Sequence, residues 1–171
     1  MIELRAWGPG DLPLLQRLLG DPAMMEHLGG PESPEKIAKR QQRYEADPRC
    51  LKIVADGEDL GWVGYWEREW RDGPVYEIGW SVLSEAQGRG IATEATRLAI
   101  DAARATERHR HLHAFPGVDN PPSNAICRKL GFTLLEARDF EYPPGTVMRC
   151  NDWRLDLAAD ASPPGARTPR S

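Results

Sequence analysis

From residue 2 to residue 7 apolar side chains alternate with polar or small ones, the period of a strand, and Gly8-Pro9-Gly10 breaks it. Asp11 then stands where it can cap a helix carrying Leu12, Leu14, Leu15, Leu18 and Leu19, and Gly20 closes that helix. A second short helix is predicted over Asp21 to Leu28, with Pro22 in its first position. A third, opened by Ser33 and Pro34, runs to about Ala46. The third offers only Ile37, Ala38 and Tyr44 for burial, so it reads as a partly exposed flank. Strands over 50–55 and 60–70 enclose Asp56-Gly57-Glu58-Asp59, the clearest hairpin signal in the chain. Within the second of these, Trp62, Trp66 and Trp70 share one face. Arg71-Asp72-Gly73-Pro74 turns into a strand over 75–83 and completes an antiparallel meander. The helix predicted over 91–106 carries Ala92, Ala95, Ala99 and Ala102 beside Ile91 and Leu98, a face small enough to lie close on a sheet. A strand near 110–115 follows, then a short helix capped by Asn120 or Ser123 and stopped at Gly131. Closing strands over 132–139 and 147–157 are joined by Glu141-Tyr142-Pro143-Pro144-Gly145. The order is β, α, α, α, β, β, β, α, β, α, β, β.

Composition narrows the class. With 171 residues, 40% of them hydrophobic, the chain holds one well-buried core, here assigned to 1–157, and is short for two. The remainder, 158–171, is rich in Pro, Gly, Ala and Arg, has nothing to bury and is expected to be disordered. A net charge of −4 excludes the clustered basic face of a nucleic-acid binder. Cys50, Cys127 and Cys150 are odd in number and far apart, with neither metal-type spacing nor a disulfide framework. No membrane span or signal-peptide pattern is present, and a cytoplasmic location is the expectation.

The chemistry concentrates between Glu77 and Ile100. A strand feeds a loop with Gly88 and Gly90 and becomes a helix whose start is free of bulky side chains. Unpaired amides there, with the positive end of the helix dipole, can hold phosphate oxygens. The spacing Gln87-x-x-Gly90-x-Ala92 resembles the acyl-CoA pyrophosphate loop of the GNAT superfamily of N-acetyltransferases. The likeness extends to Glu77-Ile78-Gly79 before it, and to Asn120-x-x-Ser123 and Lys129-Leu130-Gly131-Phe132 after it. Together these are similar to the RimJ/RimL-like branch. The resemblance implies an α+β fold, a mostly antiparallel sheet that splays open after its fourth strand, and acetyl-CoA as acyl donor with no metal.

It also implies site residues. Gln87, Gly88, Arg89, Gly90, Ile91, Ala92 and Thr93 form the coenzyme cradle. Glu77, flanked by Tyr76, Ile78 and Trp80 and so partly buried with a raised pKa, is the candidate base that takes a proton from an amine, directly or through water. A solvated carboxylate, or an arginine's structural partner, is the alternative. The backbone N–H near Val82 would meet the carbonyl oxygen as it gains charge. Where many superfamily members place a tyrosine as acid for the leaving thiolate, this chain has Cys127, four residues after Ser123 and on the same helix face, while Ile126 and Leu130 suit the core. Either Ser123 or Cys127 can face the sulfur, and a small buried Cys127 is the competing reading. Asn120 can hold the pantetheine arm or cap its helix. His109, His111 and His113 alternate on one strand and read as a polar sheet face rather than a metal site.

The acceptor implied is an amine: a small molecule such as a metabolite or antibiotic, towards which the acidity and the Trp-rich strand lean, or a peptide N-terminus. A non-catalytic acyl-CoA sensor and a homodimer built on exposed aromatics are the other expectations.

Overall fold

Leucines three and four residues apart give the first helix one apolar face, and burial of that face sets one of two core layers. The computed structural model describes residues 1–141 and 144–159. Its elements are β1 (Ile2–Ala6), α1 (Leu12–Gly20), α2 (Pro34–Ala46), β2 (Cys50–Ala55), β3 (Glu58–Trp70), β4 (Gly73–Val82), α3 (Ile91–Ala105), β5 (His111–Ala114), α4 (Pro121–Lys129), β6 (Thr133–Glu141) and β7 (Val147–Asp156). The strands form one sheet in the order β1-β2-β3-β4-β5-β7-β6. Every neighbouring pair is antiparallel except β4 and β5.

Strand alternation sends one set of side chains to each face. Val63, Tyr65, Tyr76, Ile78, Leu112 and Trp153 meet Ile91, Ala95, Ala99 and Ala103 of α3 and Cys127 of α4. On the other face Trp62 and Cys50 meet Leu14, Leu15, Leu18 and Leu19 of α1 and Ile37 and Tyr44 of α2. Ala95 and Ala99 are wholly buried, the close seating that their small side chains predict.

Several expectations are corrected. Residues 22–29 form successive turns rather than a helix, with Met25 N bonding Asp21 O and both Leu28 N and Gly30 N bonding Met25 O, so no regular ladder develops. Asp11 does stand at the N-cap of α1, but its side chain makes no capping bond to that helix; it accepts from Gly8 N at 2.7 Å and from Lys52 Nζ at 2.6 Å. In α2 the buried positions are Ile37, Gln41 and Tyr44, while Ala38 is exposed. Gln41 is tolerated inside because it accepts from Trp7 Nε1 and donates to Gly8 O. The buried residues of α4 are Asn124 and Cys127, and Ile126 and Leu130 are only half-buried. Met1, Leu28, Val118, Leu134, Leu135 and Val147 are the exposed large apolar side chains among the described residues; none is aromatic, so the aromatic surface invoked for a homodimer is missing. Among the described residues no helix is long and apolar enough to cross a membrane. Residues 142–143 of the predicted closing turn, and the predicted tail from 160 onward, lie outside the described residues.

Candidate active site

The sheet opens at Glu77. Strands β4 and β5 are in register only at Tyr76 with Leu112 and Glu77 with His113. Beyond that point β4 continues to Val82 paired with β3 alone. Two strands that diverge leave the inner edge of one without partners, and Val82 lies on that edge. Leu83 N donates to Leu60 O of β3 at 2.8 Å, so alternation turns the Val82 peptide groups the other way, into the opening. The Val82 carbonyl there accepts from Gln87 Nε2 at 3.0 Å. Gln87 therefore pins the following loop to the end of β4. The Val82 side chain is core.

That loop takes two left-handed residues, Gly88 at φ 74° and Gly90 at φ 76°, a conformation that side chains resist. Gly90 is also the N-cap of α3, with no side chain closing the helix end. Gln87 N bonds Ser84 O and Glu94 N bonds Gly90 O. Between them, the amides of Gly88, Arg89, Gly90, Ile91, Ala92 and Thr93 have no acceptor among the described residues. Nothing lies within 4 Å of where a Cβ on Gly88 or Gly90 would stand. Arg89 is exposed and without an ion-pair partner among the described residues. Six unpaired amides at a helix start, open space before them and one spare guanidinium fit a diphosphate.

On the α1 and α2 face a cavity of about 660 Å³ lies over β3 and β4. Trp62 and Trp66 form its floor with ring centroids 6.5 Å apart, and Tyr44 of α2 stands 5.3 Å from Trp62. Gly79 makes this possible: a Cβ there would meet Trp66 at 3.0 Å and Trp62 at 3.3 Å. Trp70 shares the face but leans away to stack on Phe140 at 5.5 Å. Glu77 lines the cavity with its side chain 18% exposed. It accepts from Arg68 at 2.8 Å and Trp66 Nε1 at 3.2 Å. The Arg68 guanidinium is itself held 4.8 Å from the ring centres of Trp70 and Phe115. Partial burial of Glu77 and an arginine partner were both among the sequence readings; that the arginine is Arg68 was not legible.

The helix after β5 divides its predicted roles. The Asn120 side chain caps α4 by accepting from Ser123 N at 3.3 Å. Ser123 is half-buried, and its hydroxyl has no hydrogen-bond partner among the described residues. Cys127 is 0% exposed inside the core, and burial pushes its thiol up to about 12. With no open surface, the Cys127 sulfur stands in core packing, as the competing reading has it, and not at the opening.

Two residues that hold the site escaped the sequence. Asn124 donates to the carbonyls of Gly117 and Asn120 and accepts from Asn151 and Trp153, joining α4 to β7. Asp152, 0% exposed, bonds His113 Nδ1 at 2.6 Å and accepts from Trp70 Nε1 at 3.1 Å, tying the far half of the sheet to β3. Burial alone would raise the Asp152 pKa; the bond to His113 and its charge outweigh it and hold the carboxyl below the usual range. The three histidines do not form a polar face. His113 is buried, while His109 packs on Tyr76 at 4.6 Å and bonds Glu67. Only the alternation of Asp152 within β7 could have signalled its inward direction.

The same architecture occurs in solved acetyltransferases. A GNAT-family acetyltransferase from Bacillus anthracis aligns over 91% of this chain and 95% of its own, with TM-score 0.77 and 15% identity. The Salmonella typhimurium protein yncA, solved with its cofactor acetyl-CoA, aligns over 95% and 98%, with TM-score 0.72 and 18% identity. RimL, a ribosomal L7/L12 alpha-N-protein acetyltransferase, aligns over 91% and 90%, with TM-score 0.73 and 23% identity. Residues 2–133 match the acetyltransferase (GNAT) domain, and the chain belongs to that family.

Proposed function

We propose that this chain transfers an acetyl group from acetyl-CoA directly to the primary amine of a small molecule. The observation that carries this reading is the placement of Glu77 at the vertex where β4 leaves β5, with the unpaired amides of 88–93 at the open end. The amides of Gly88 to Thr93 and the Arg89 guanidinium would hold the diphosphate, and Asn120 and Ser123, at the start of the helix after β5, would meet the pantetheine arm and the sulfur. Acetyl-CoA supplies the acetyl group as a thioester, whose C–S bond breaks as the C–N bond forms.

An alkylammonium is neutral in only about one molecule in a few thousand at pH 7, so an acceptor for its proton matters. Glu77 is placed for that work, with Arg68 and Trp66 fixing its orientation. The Val82 N–H is directed to where the carbonyl oxygen gains charge. With Cys127 in the core, the Ser123 hydroxyl or water is left to return a proton to the thiolate, a fair leaving group by itself.

The test is thiol release from acetyl-CoA with and without amines. Glu77→Gln is expected to lower kcat by about 10² to 10⁴ with coenzyme affinity retained. Unchanged turnover would remove Glu77 as the base. Coenzyme binding without amine-stimulated release would favour a sensor module, and turnover confined to peptides would favour a RimL-like acceptor.

A further inference from the structure

We propose that the acceptor is an arylalkylamine, a single primary amine on a short chain attached to one aromatic body. This rests on the acetyltransferase reading above and narrows it. The cavity volume of about 660 Å³ lies in the range that encloses a small organic molecule. Glu77 lies on its wall, so amine and body share one enclosure.

The lining chooses the body. Five of the residues lining it are aromatic besides Phe140, namely Trp62, Trp66, Tyr44, Trp80 and Phe115. The indoles of Trp62 and Trp66 lie down over Gly79, their planes 35° apart, which gives a broad apolar floor suited to a flat ring. Burial pushes the Tyr44 hydroxyl up to about 12, so its ring stays un-ionised beside Trp62.

The charges limit the head. The carboxylates and guanidiniums deep in the cavity are already matched: Glu32 with Arg40, Glu77 with Arg68, and Asp47 with Arg49 just outside. Arg43 and Glu141 lie exposed at the rim and are opposite in sign. A polyamine would find no second inner carboxylate, and an acidic acceptor no second inner cation, without breaking a pair. One amine sharing Glu77 with Arg68 needs no such rupture. The ammonium gives one proton to Glu77 and the freed nitrogen lone pair forms the C–N bond; as the C–S pair leaves with the coenzyme sulfur, the nitrogen's second excess proton passes to that sulfur through the Ser123 hydroxyl or water, and Glu77 returns its proton to solvent.

The experiment compares phenethylamine, tryptamine, spermidine and a short peptide with a free N-terminus as acceptors for the full chain at saturating acetyl-CoA, following thiol release. The two arylalkylamines are expected to give kcat/KM at least about tenfold above spermidine and the peptide, and Trp62→Ala, which leaves the Trp66 bond to Glu77 in place, to lose about tenfold for them through KM, with acetyl-CoA KM unchanged. Trp62→Phe, which keeps a ring on the floor, is expected to retain most of the preference and guards against a misfolded alanine variant. A preference for spermidine or the peptide would overturn the arylalkylamine inference and leave acetyl transfer standing. Coenzyme binding with no amine accelerating thiol release would overturn both.

Discussion

The loop over Gln87 to Thr93 and the cavity beside Glu77 flank the same opening in the sheet, yet they are built from different parts of the chain. The loop is one continuous stretch, and its useful atoms are main-chain amides exposed by two left-handed glycines. The cavity is assembled from side chains that come from α1, α2, β2, β3, β4, β6 and β7, from the connections at Met25 to Glu32 and at Asp47, and from Phe115 just beyond β5. A site made of backbone needs only the right local conformation, whereas a site made of side chains needs distant segments to arrive together. Damage to one should therefore leave the other working.

The largest separation is expected from Gly90→Trp. A side chain in the left-handed region costs about 1–2 kcal/mol, and its bulk fills the open space before the amides. Calorimetry should show coenzyme affinity falling by more than about 100-fold while the melting curve moves modestly. Retained affinity would place the nucleotide elsewhere.

Asp152→Asn attacks the other side. It removes the charge facing buried His113, and breaking such a pair typically costs about 3–5 kcal/mol in urea unfolding. Coenzyme affinity of the folded fraction should hold. Since the folded Asp152 pKa lies below its ordinary value of 3.8, its stabilisation is complete above that value and disappears as pH falls through the folded one. Wild type should thus lose stability below about pH 4 more steeply than Asp152→Asn.

Arg89→Ala should be the mildest. An exposed guanidinium adds charge to a cradle whose geometry is main chain, so affinity should drop by about fivefold at low salt and by less at high salt. A loss as large as that of Gly90→Trp would make the side chain, not the amides, the principal anchor.

The same contrast explains what was readable. The Asp56-Gly57 hairpin, the Asn120 cap and the Gly88 and Gly90 loop are local, and each stands where its spacing predicts. Residues 22–29 also carried helical spacing, but with Pro22 at the start and Gly29-Gly30 at the end the stretch is too short to sustain a ladder, and it settles as turns around buried Met25. Gln41, Asn124 and Asp152 were missed because polarity marks a residue as surface until its partners are known, and those partners lie on other elements. An arginine partner for Glu77 was one of the readings, but which arginine was hidden likewise: Arg68 and Glu77 share a sheet face only because β3 and β4 pair in one register. Cys127 was read two ways, as a proton donor and as a small buried residue, and the structure has it buried, a reactive residue type placed in the core.

The central claim is that main-chain amides at the start of α3 seat the coenzyme's diphosphate. Amide nitrogen–proton NMR spectra recorded during titration with coenzyme A test it residue by residue. The account predicts saturable shifts that are largest for Gly88, Arg89, Gly90, Ala92 and Thr93, and absent from those amides in Gly90→Trp. Saturable binding with its largest shifts on another element, or no saturable shift at all, would contradict it.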